Sequence, residues 1–219
     1  FSGLIYESIW THYVKLFLGH AAYSQALVLA IFMGGLALGS HISSKYSASW
    51  KNLLLVYAIA EGIIGLASLF FHHAFNSFLQ FSYTTAIPFL SNAVAITLYK
   101  WLLSAMFILP QSILLGMTFP AMCGTFARQS PENAGSSIAL LYFTNSFGAF
   151  AGVLISGFFL IRIVGLPGTL LAAALINIAL ALIAWLISKN ISMATHHAAE
   201  QPLTNSNSSP AYQYRFFLF

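Results

Sequence analysis

The sequence predicts an all-α fold, an integral membrane bundle of about six transmembrane helices. Hydrophobic residues make up 59% of its 219 positions and charged residues only 5%, whereas soluble domains average about 25% charged residues. The apolar residues fall in continuous runs of about 20, which is the helix length that crosses a bilayer. These runs lack the apolar–polar alternation of membrane β-barrel strands. A water-soluble globule is therefore excluded.

Six apolar segments qualify as transmembrane helices, and polar stretches such as SSKYSASWK and RQSPENAG interrupt them. In chain order they are 1–18, 21–42, 53–71, 93–119, 136–164 and 168–187. The connector 72–92 is polar and aromatic, which fits a short interfacial helix. Proline cannot donate the hydrogen bond of a helix interior. We therefore expect the fourth helix to bend near Pro110 and to end at Pro120.

The segments divide the chain into three parts. Residues 1–187 form one transmembrane domain, which we expect to be truncated because it begins without Met inside an apolar run. Residues 188–214 are rich in Ser, Asn and Pro, which is typical of a flexible polar linker. Residues 215–219 begin a further apolar segment. The sequence is accordingly interpreted as a piece of a longer polypeptide.

Charge predicts topology rather than a nucleic-acid partner. Eight Lys and Arg residues face four glutamates, which gives a formal net charge of +4. They are too scattered for a nucleic-acid surface, but cytoplasmic loops of membrane proteins do carry an excess of Lys and Arg. With a cytoplasmic amino terminus, Lys45, Lys51, Arg128 and Lys189 all face the cytoplasm. We expect a multi-pass protein of a bacterial inner membrane, with the lipid bilayer as its first partner.

No motif for catalysis, metal binding or cofactor binding occurs in this segment. Cys123 is the single cysteine and cannot form an internal disulfide. Adjacent histidines point to opposite sides of a helix, and no third ligand is spaced for zinc. Neither a GxSxG nucleophile elbow nor a GxGxxG nucleotide loop is present. We therefore predict no catalytic residue, no metal and no cofactor in this segment.

The first candidate site lies on the first helix, around Glu7. An ionisable group inside a membrane helix is costly and normally finds a partner in the bundle interior. At 3.6 residues per turn, Tyr6, Glu7 and Trp10 share one face of this helix. A carboxylate beside two aromatic rings could hold an organic cation by charge pairing and cation–π attraction. Alternatively, Glu7 accepts hydrogen bonds from a neighbouring helix and locks the packing.

The second candidate is Glu61 on the third helix, with Tyr57 one turn before it. If Glu7 and Glu61 line one cavity, they would suit a polyamine-like dication or a proton relay. If they face different neighbours, both are packing elements. Asn145 on the fifth helix is interpreted as a hydrogen-bonding link between helices or as a polar contact for the ligand.

Small residues are placed where membrane helices would approach one another closely. Gly35 and Gly39 in FMGGLALGS are four residues apart, and Gly148 and Gly152 repeat this spacing in the fifth helix. LGMTFPA adds Gly116 and Pro120 near the inner end of the fourth helix. These six residues are assigned to helix packing, and they leave a homo-oligomer open.

Several motifs together resemble a known family. In chain order they are SGLIYESIWTHYVKLFLG, FMGGLALGS, AIAEGIIGL, LLGMTFPA, YFTNSFGAFAGVLISGFFL and IVGLPGTLL. They resemble the membrane domain of spermidine synthase-like proteins, which are multi-pass homologues of polyamine aminopropyltransferases. The stretch 35–45 also looks like a degraded loop motif of major-facilitator transporters. The resemblance covers residues 1–187 and implies a bundle similar to half of a major-facilitator fold.

The resemblance also implies a function. The domain would bind or translocate a cationic amine, a polyamine or a related product, near Glu7 and Glu61. It would couple to a cytoplasmic aminopropyltransferase-like domain of the same chain outside this segment. The catalytic residues of that enzyme match no position here, so none is carried over. Two other functions stay open: a structural membrane anchor or dimerisation domain, and half of a secondary transporter.

Overall fold

The computed structural model describes residues 1–129 and 131–199, with side chains as far as residue 190. Six α-helices account for most of them: α1 (Ser2–Leu18), α2 (Ala21–Tyr46), α3 (Leu53–Phe81), α4 (Ala93–Gln129), α5 (Ala134–Ile155) and α6 (Ile161–Ala199). Short helical turns fill the connections, including two π-helical turns at Ser82–Ala86 and Ser156–Leu160. Throughout this described part the chain contains no β-strand. The all-α prediction is confirmed.

Four helical stretches are long and apolar enough to cross a membrane: Ala21–Ser49, Leu53–Phe89, Ala93–Gln129 and Pro131–Asn190. The last runs for 60 residues and contains a break at Gly165, whose backbone is non-helical at φ 70° and ψ −177°. The α1 helix has only 17 residues. The chain is thus a helical membrane protein, while the predicted count of six spans is not confirmed.

The α1 helix lies at the centre of the bundle. It packs against α2, α4, α5 and α6, and its aromatic side chains reach α3. The ring of Trp10 lies 6.2 Å, between centroids, from both Phe32 of α2 and Phe71 of α3. One turn later, Tyr13 lies 5.4 Å from Phe75 of α3. Aromatic residues three or four positions apart therefore place α1 in the core.

The α2 and α4 helices cross at their glycines. A Cβ atom on Gly39 would overlap the carbonyl oxygen of Ile113 and lie 2.9 Å from the Cα of Gly116. A Cβ atom on Gly116 would lie 2.7 Å from the Cα of Leu36, and one on Gly35 would overlap Ser112. The two backbones are in direct contact, which only residues without a side chain allow.

The α4 helix corrects the prediction that it ends at Pro120. It passes through both Pro110 and Pro120 and continues to Gln129. Pro120 lacks the N–H that would bond the carbonyl of Gly116, but the hydroxyl of Ser40 in α2 donates to that carbonyl at 3.2 Å. Side chains of neighbouring helices commonly satisfy backbone groups freed by proline in membrane helices. The freed carbonyl thus has a partner, and the helix does not have to stop.

Two other boundaries also differ from the prediction. The α3 helix continues to Phe81 rather than ending at residue 71, because Phe71 and Phe75 keep the helical spacing and are both buried. The α6 helix continues to Ala199, beyond residue 187, where the sixth apolar segment was expected to end. The remainder of the expected linker, 200–214, and the segment 215–219 lie outside the described residues.

Four basic residues share one end of the bundle. Arg128, at the end of α4, donates to the carbonyls of Trp50 and Ser47 at 2.8 and 2.6 Å. Across the same end, Asn52 donates to the hydroxyl of Ser188 in α6 at 2.7 Å. These bonds join the α2–α3 loop to α4 and α6. We call this end the basic end; it carries Lys45, Lys51, Arg128 and Lys189. The positive-inside rule predicts that it faces the cytoplasm.

Replacing Ser40 by alanine is expected to lower the free energy of unfolding by about 1 kcal/mol, because the carbonyl of Gly116 loses its donor. In a Pro120→Ala background the new backbone N–H can bond this carbonyl, so the same replacement should cost close to nothing. A double-mutant cycle measured by unfolding in mixed micelles gives the difference. An equal cost in both backgrounds would show that Ser40 does not act through this carbonyl.

A candidate buried polar site

Glu61 is the most deeply buried carboxylate that the structure describes. It lies on the inward face of α3 and is only 7% exposed; Gly65 and Ser68, further along this face, are buried as well. The hydroxyl of Tyr57, one turn earlier, lies beside its carboxylate. Tyr6 of α1 also lies near Glu61. Tyr6 therefore belongs to the same site as Tyr57 and Glu61, whereas the sequence analysis predicted that it would act together with Glu7.

Four buried polar atoms of α1 and α6 have no hydrogen-bond partner among the described residues. They are the Tyr6 hydroxyl, the indole Nε1 of Trp10, and both amide atoms of Asn177 in α6. Trp10, Tyr6 and Asn177 are each 0% exposed. Buried polar groups almost always have a partner, so each exception needs an explanation such as a bound molecule or a water.

The packing of α3 against α6 places Asn177 at the level of Gly65. A Cβ atom on Gly65 would lie 3.0 Å from the carbonyl oxygen of Ala174 and 3.2 Å from the backbone nitrogen of Ile178. Asn177 is the neighbour of Ile178, and Gly65 is one turn from Glu61. The layer of polar residues in this part of the bundle thus extends along α3 from Glu61 to Ser68, with Asn177 between these two levels.

A hydrogen-bonded pair closes this layer on the α4 side. The hydroxyl of Ser68 donates to Oε1 of Gln111 at 3.1 Å. The amide nitrogen of Gln111 donates to the carbonyl of Phe107 at 3.1 Å, which fixes the orientation of the amide. Tyr6 lies beside Ser68, whose own proton is engaged by Gln111. We call this set the polar layer; it consists of Tyr6, Trp10, Glu61, Ser68, Gln111 and Asn177.

Glu7 is placed differently from Glu61. It is only half-buried, while Tyr6 on one side of it and Trp10 one turn later are fully buried. Its backbone carbonyl accepts a hydrogen bond from Thr11 at 3.0 Å, but the structure gives its carboxylate no hydrogen bond within the described residues. Glu7 is also not among the groups that interact with Glu61. The structure therefore does not bring the two glutamates together in one site.

Asn145 lies away from the polar layer. It is exposed on the surface of α5. Further along the same helix, a Cβ atom on Gly148 would lie 3.3 Å from the nitrogen of Phe1, and one on Gly152 would lie 3.4 Å from its Cα. These two glycines therefore pack α5 against the beginning of α1. Asn145 does not reach any group of the candidate site.

The polar layer is shielded from solvent in this conformation, since Tyr6, Trp10 and Asn177 are fully buried and Glu61 is nearly so. One groove of about 280 Å³ runs between α3 and α6 past Gly62 and Trp185, and another of about 310 Å³ is lined by Ser77, Phe78 and Phe81. Neither groove is lined by Glu7 or Glu61. A ligand of the polar layer would therefore need a movement of the helices around α1 to enter. No group of three or more His, Cys, Asp or Glu side chains suited to a metal occurs among the described residues.

No protein-family model matches the chain, and neither a curated protein nor a solved structure is detectably similar to it.

Asn177 was not singled out in the sequence, although a signal was present. Asn177 is the one polar side chain in the run AAALINIALALIAWLI. A polar residue in such a run normally faces the bundle interior and marks a functional or packing contact. Applying that rule to Asn177, as it was applied to Glu61, would have identified it.

Proposed function

We propose that this chain is a membrane domain that binds a cationic amine, a polyamine or a related product, at Glu61. The observation that carries the proposal is the buried carboxylate of Glu61 close to Tyr6, whose hydroxyl has no hydrogen-bond partner among the described residues. A carboxylate taken out of water strongly favours a cationic partner. The Tyr6 hydroxyl and the Asn177 side-chain carbonyl, which lack partners among the described residues, could accept hydrogen bonds from an ammonium group.

The aromatic rings support a cation rather than a neutral solute. The rings of Tyr6 and Trp10 stack with centroids 5.7 Å apart and planes inclined by 15°. Tyr6 and Tyr57 place two electron-rich rings close to Glu61. Ammonium groups are attracted to such rings, most strongly where water is excluded. The resemblance to spermidine synthase-like proteins favours a polyamine and a coupled cytoplasmic aminopropyltransferase-like domain, both of which belong to the proposal.

A structural membrane anchor is the second candidate function. The observation that favours it is the closed polar layer, since neither groove reaches Glu61. In that case Glu61 and Tyr57 would serve only to pack the helices together, and α1 would be the central helix of a structural bundle. The third function, half of a secondary transporter, is compatible with an amine site at Glu61. It differs from the first proposal in the partner domain, which would be a second helical bundle rather than an enzyme.

Carbodiimide labelling distinguishes the two functions. A hydrophobic carbodiimide that enters the bilayer modifies carboxyl groups, and peptide mass spectrometry locates the product. We expect spermidine to reduce the labelling of Glu61 while the labelling of Glu132, which is exposed in a surface turn, stays unchanged. Labelling of Glu61 that spermidine does not alter would contradict the amine site. No labelling of Glu61 under either condition would favour the closed packing element of an anchor.

A further inference from the structure

An apolar groove on the outside of the bundle is independent of the polar layer. It runs between α3 and α6 and has a volume of about 280 Å³. Small residues form its floor, namely Ala58, Gly62 and Ala181. Its rims are formed by larger side chains that are more than half exposed, such as Leu66 and Leu182. In a membrane this groove opens sideways to the hydrocarbon chains of the lipids.

The groove ends at a pair of lysines. Trp185 lines the groove, and the ammonium nitrogen of Lys189 lies 3.9 Å from the centre of its ring. The bond between Asn52 and Ser188 places the neighbouring residues, Lys51 and Lys189, at the same point of the basic end. Both lysines are exposed, and among the described residues neither is paired with a carboxylate. Two positive charges thus lie where phospholipid head groups are found.

The length of the groove suits one acyl chain. From Ala58 to Leu66, the residues of α3 that line it rise by about 12 Å at 1.5 Å per residue. This is most of one leaflet, which is half of a hydrocarbon core of about 30 Å. Trp185 lies between the charged and apolar parts, at the level where tryptophan is enriched in membrane proteins. Along α3 and α6 the charged lysines are followed by the Trp185 ring and then by the apolar groove. A phospholipid has the same order, with a charged head group, an interfacial ester region and apolar acyl chains.

We propose that the groove between α3 and α6 binds one anionic phospholipid, with its phosphate at Lys51 and Lys189 and one acyl chain over Gly62. Basic residues at the cytoplasmic end of membrane helices attract anionic head groups. Arg128 contributes less because its guanidinium already donates to two backbone carbonyls. The site distinguishes head groups by charge, and it holds the acyl chain by shape.

Native mass spectrometry of the detergent-purified protein tests this proposal, with phosphatidylglycerol and phosphatidylcholine of identical acyl chains as the probes. We expect phosphatidylglycerol to be retained about tenfold more strongly. Gly62→Leu should abolish this retention by filling the groove. Gly34→Leu is the matched control, because Gly34 is exposed on α2 and a Cβ atom there meets nothing within 4 Å. Lys51→Gln with Lys189→Gln should retain both lipids equally.

Three results would overturn the proposal. The first is equal retention of the two lipids by the unaltered protein. The second is unchanged retention of phosphatidylglycerol in both Gly62→Leu and the double lysine variant. If Gly62→Leu fails to fold, unchanged retention in the double lysine variant alone would still contradict the proposal. The third is a dimer that Gly62→Leu disrupts, since the groove would then be filled by a second copy of the chain.

Discussion

The variant Gly39→Ala is expected to lose about 3 kcal/mol of stability, which is large for the addition of one methyl group. Overpacking a well-packed core costs about 1–3 kcal/mol, and more where backbone must move. Here the new Cβ atom would overlap the carbonyl of Ile113 and approach the Cα of Gly116 to 2.9 Å. Both are backbone atoms, so no side-chain rotation can relieve the overlap. The α2 and α4 helices would have to separate.

The matched control for Gly39→Ala is Gly34→Ala in the same helix. A Cβ atom on Gly34 meets nothing within 4 Å, and alanine has a higher helix propensity than glycine by about 1 kcal/mol. Gly34→Ala should therefore be neutral or stabilising. Unfolding of both variants in mixed micelles measures the difference. Equal stabilities would show that α2 and α4 are not in backbone contact at Gly39.

The close approach of α2 and α4 could be predicted because it depends on local spacing. Gly35 and Gly39 are four residues apart, so they lie on one face of any helix, whatever that face contacts. The partner could not be predicted in the same way. Gly116 contacts Leu36 through an arrangement of two helices that are distant in the sequence. The spacing of residues predicts which of them share a face of a helix. It does not predict which other helix that face contacts, because this depends on the tertiary fold.

The end of α4 could not be predicted from α4 alone, because the group that allows the helix to continue past Pro120 belongs to α2. Pro120 removes a donor, and a sequence rule based on α4 alone therefore ends the helix there. The missing donor is supplied by Ser40 of α2, which is adjacent to Gly39 at the same crossing. A close backbone contact and a tolerated proline are thus two results of one packing arrangement.

The candidate site was predicted in part. Glu61 and Tyr57 were identified because a carboxylate in an apolar helix must be accommodated in the bundle interior. The same argument selected Glu7, which is only half-buried. One residue corresponds to about 100° around a helix, so Tyr6 and Glu7 do not face the same neighbour. The pairing of Tyr6 with Glu61 depends on the rotation of α1 against α3, which no local pattern encodes.

The variant Glu61→Gln is expected to weaken the binding of spermidine by about thirtyfold or more. Removing one partner of a buried charge pair costs about 2–5 kcal/mol, and each 1.4 kcal/mol is a factor of about ten. Glutamine keeps the size of the side chain, so the change removes charge rather than volume. Glu132→Gln, in an exposed surface turn, is the matched control and should bind spermidine normally.

A second variant separates binding from packing. Trp10→Phe keeps an aromatic ring against Phe32 and Phe71 and removes an indole N–H that has no partner within the described residues. Trp10 is fully buried, so the smaller ring leaves a cavity and lowers the stability under either role. If this N–H faces the bound ligand, the affinity for spermidine falls as well. A purely structural role predicts the loss of stability with an unchanged affinity.

The measurement that tests the central claim most directly is calorimetric titration of putrescine into the purified protein and its Glu61→Gln variant. It should be made on a chain in which a residue precedes Phe1, so that no α-ammonium competes near Glu61. Butane-1,4-diol, of similar length but uncharged, is the control ligand. The amine site predicts saturable binding of putrescine alone, lost in Glu61→Gln while the protein stays folded. No saturable binding, together with a lower melting temperature of Glu61→Gln, would contradict it and make Glu61 a structural element of a membrane anchor.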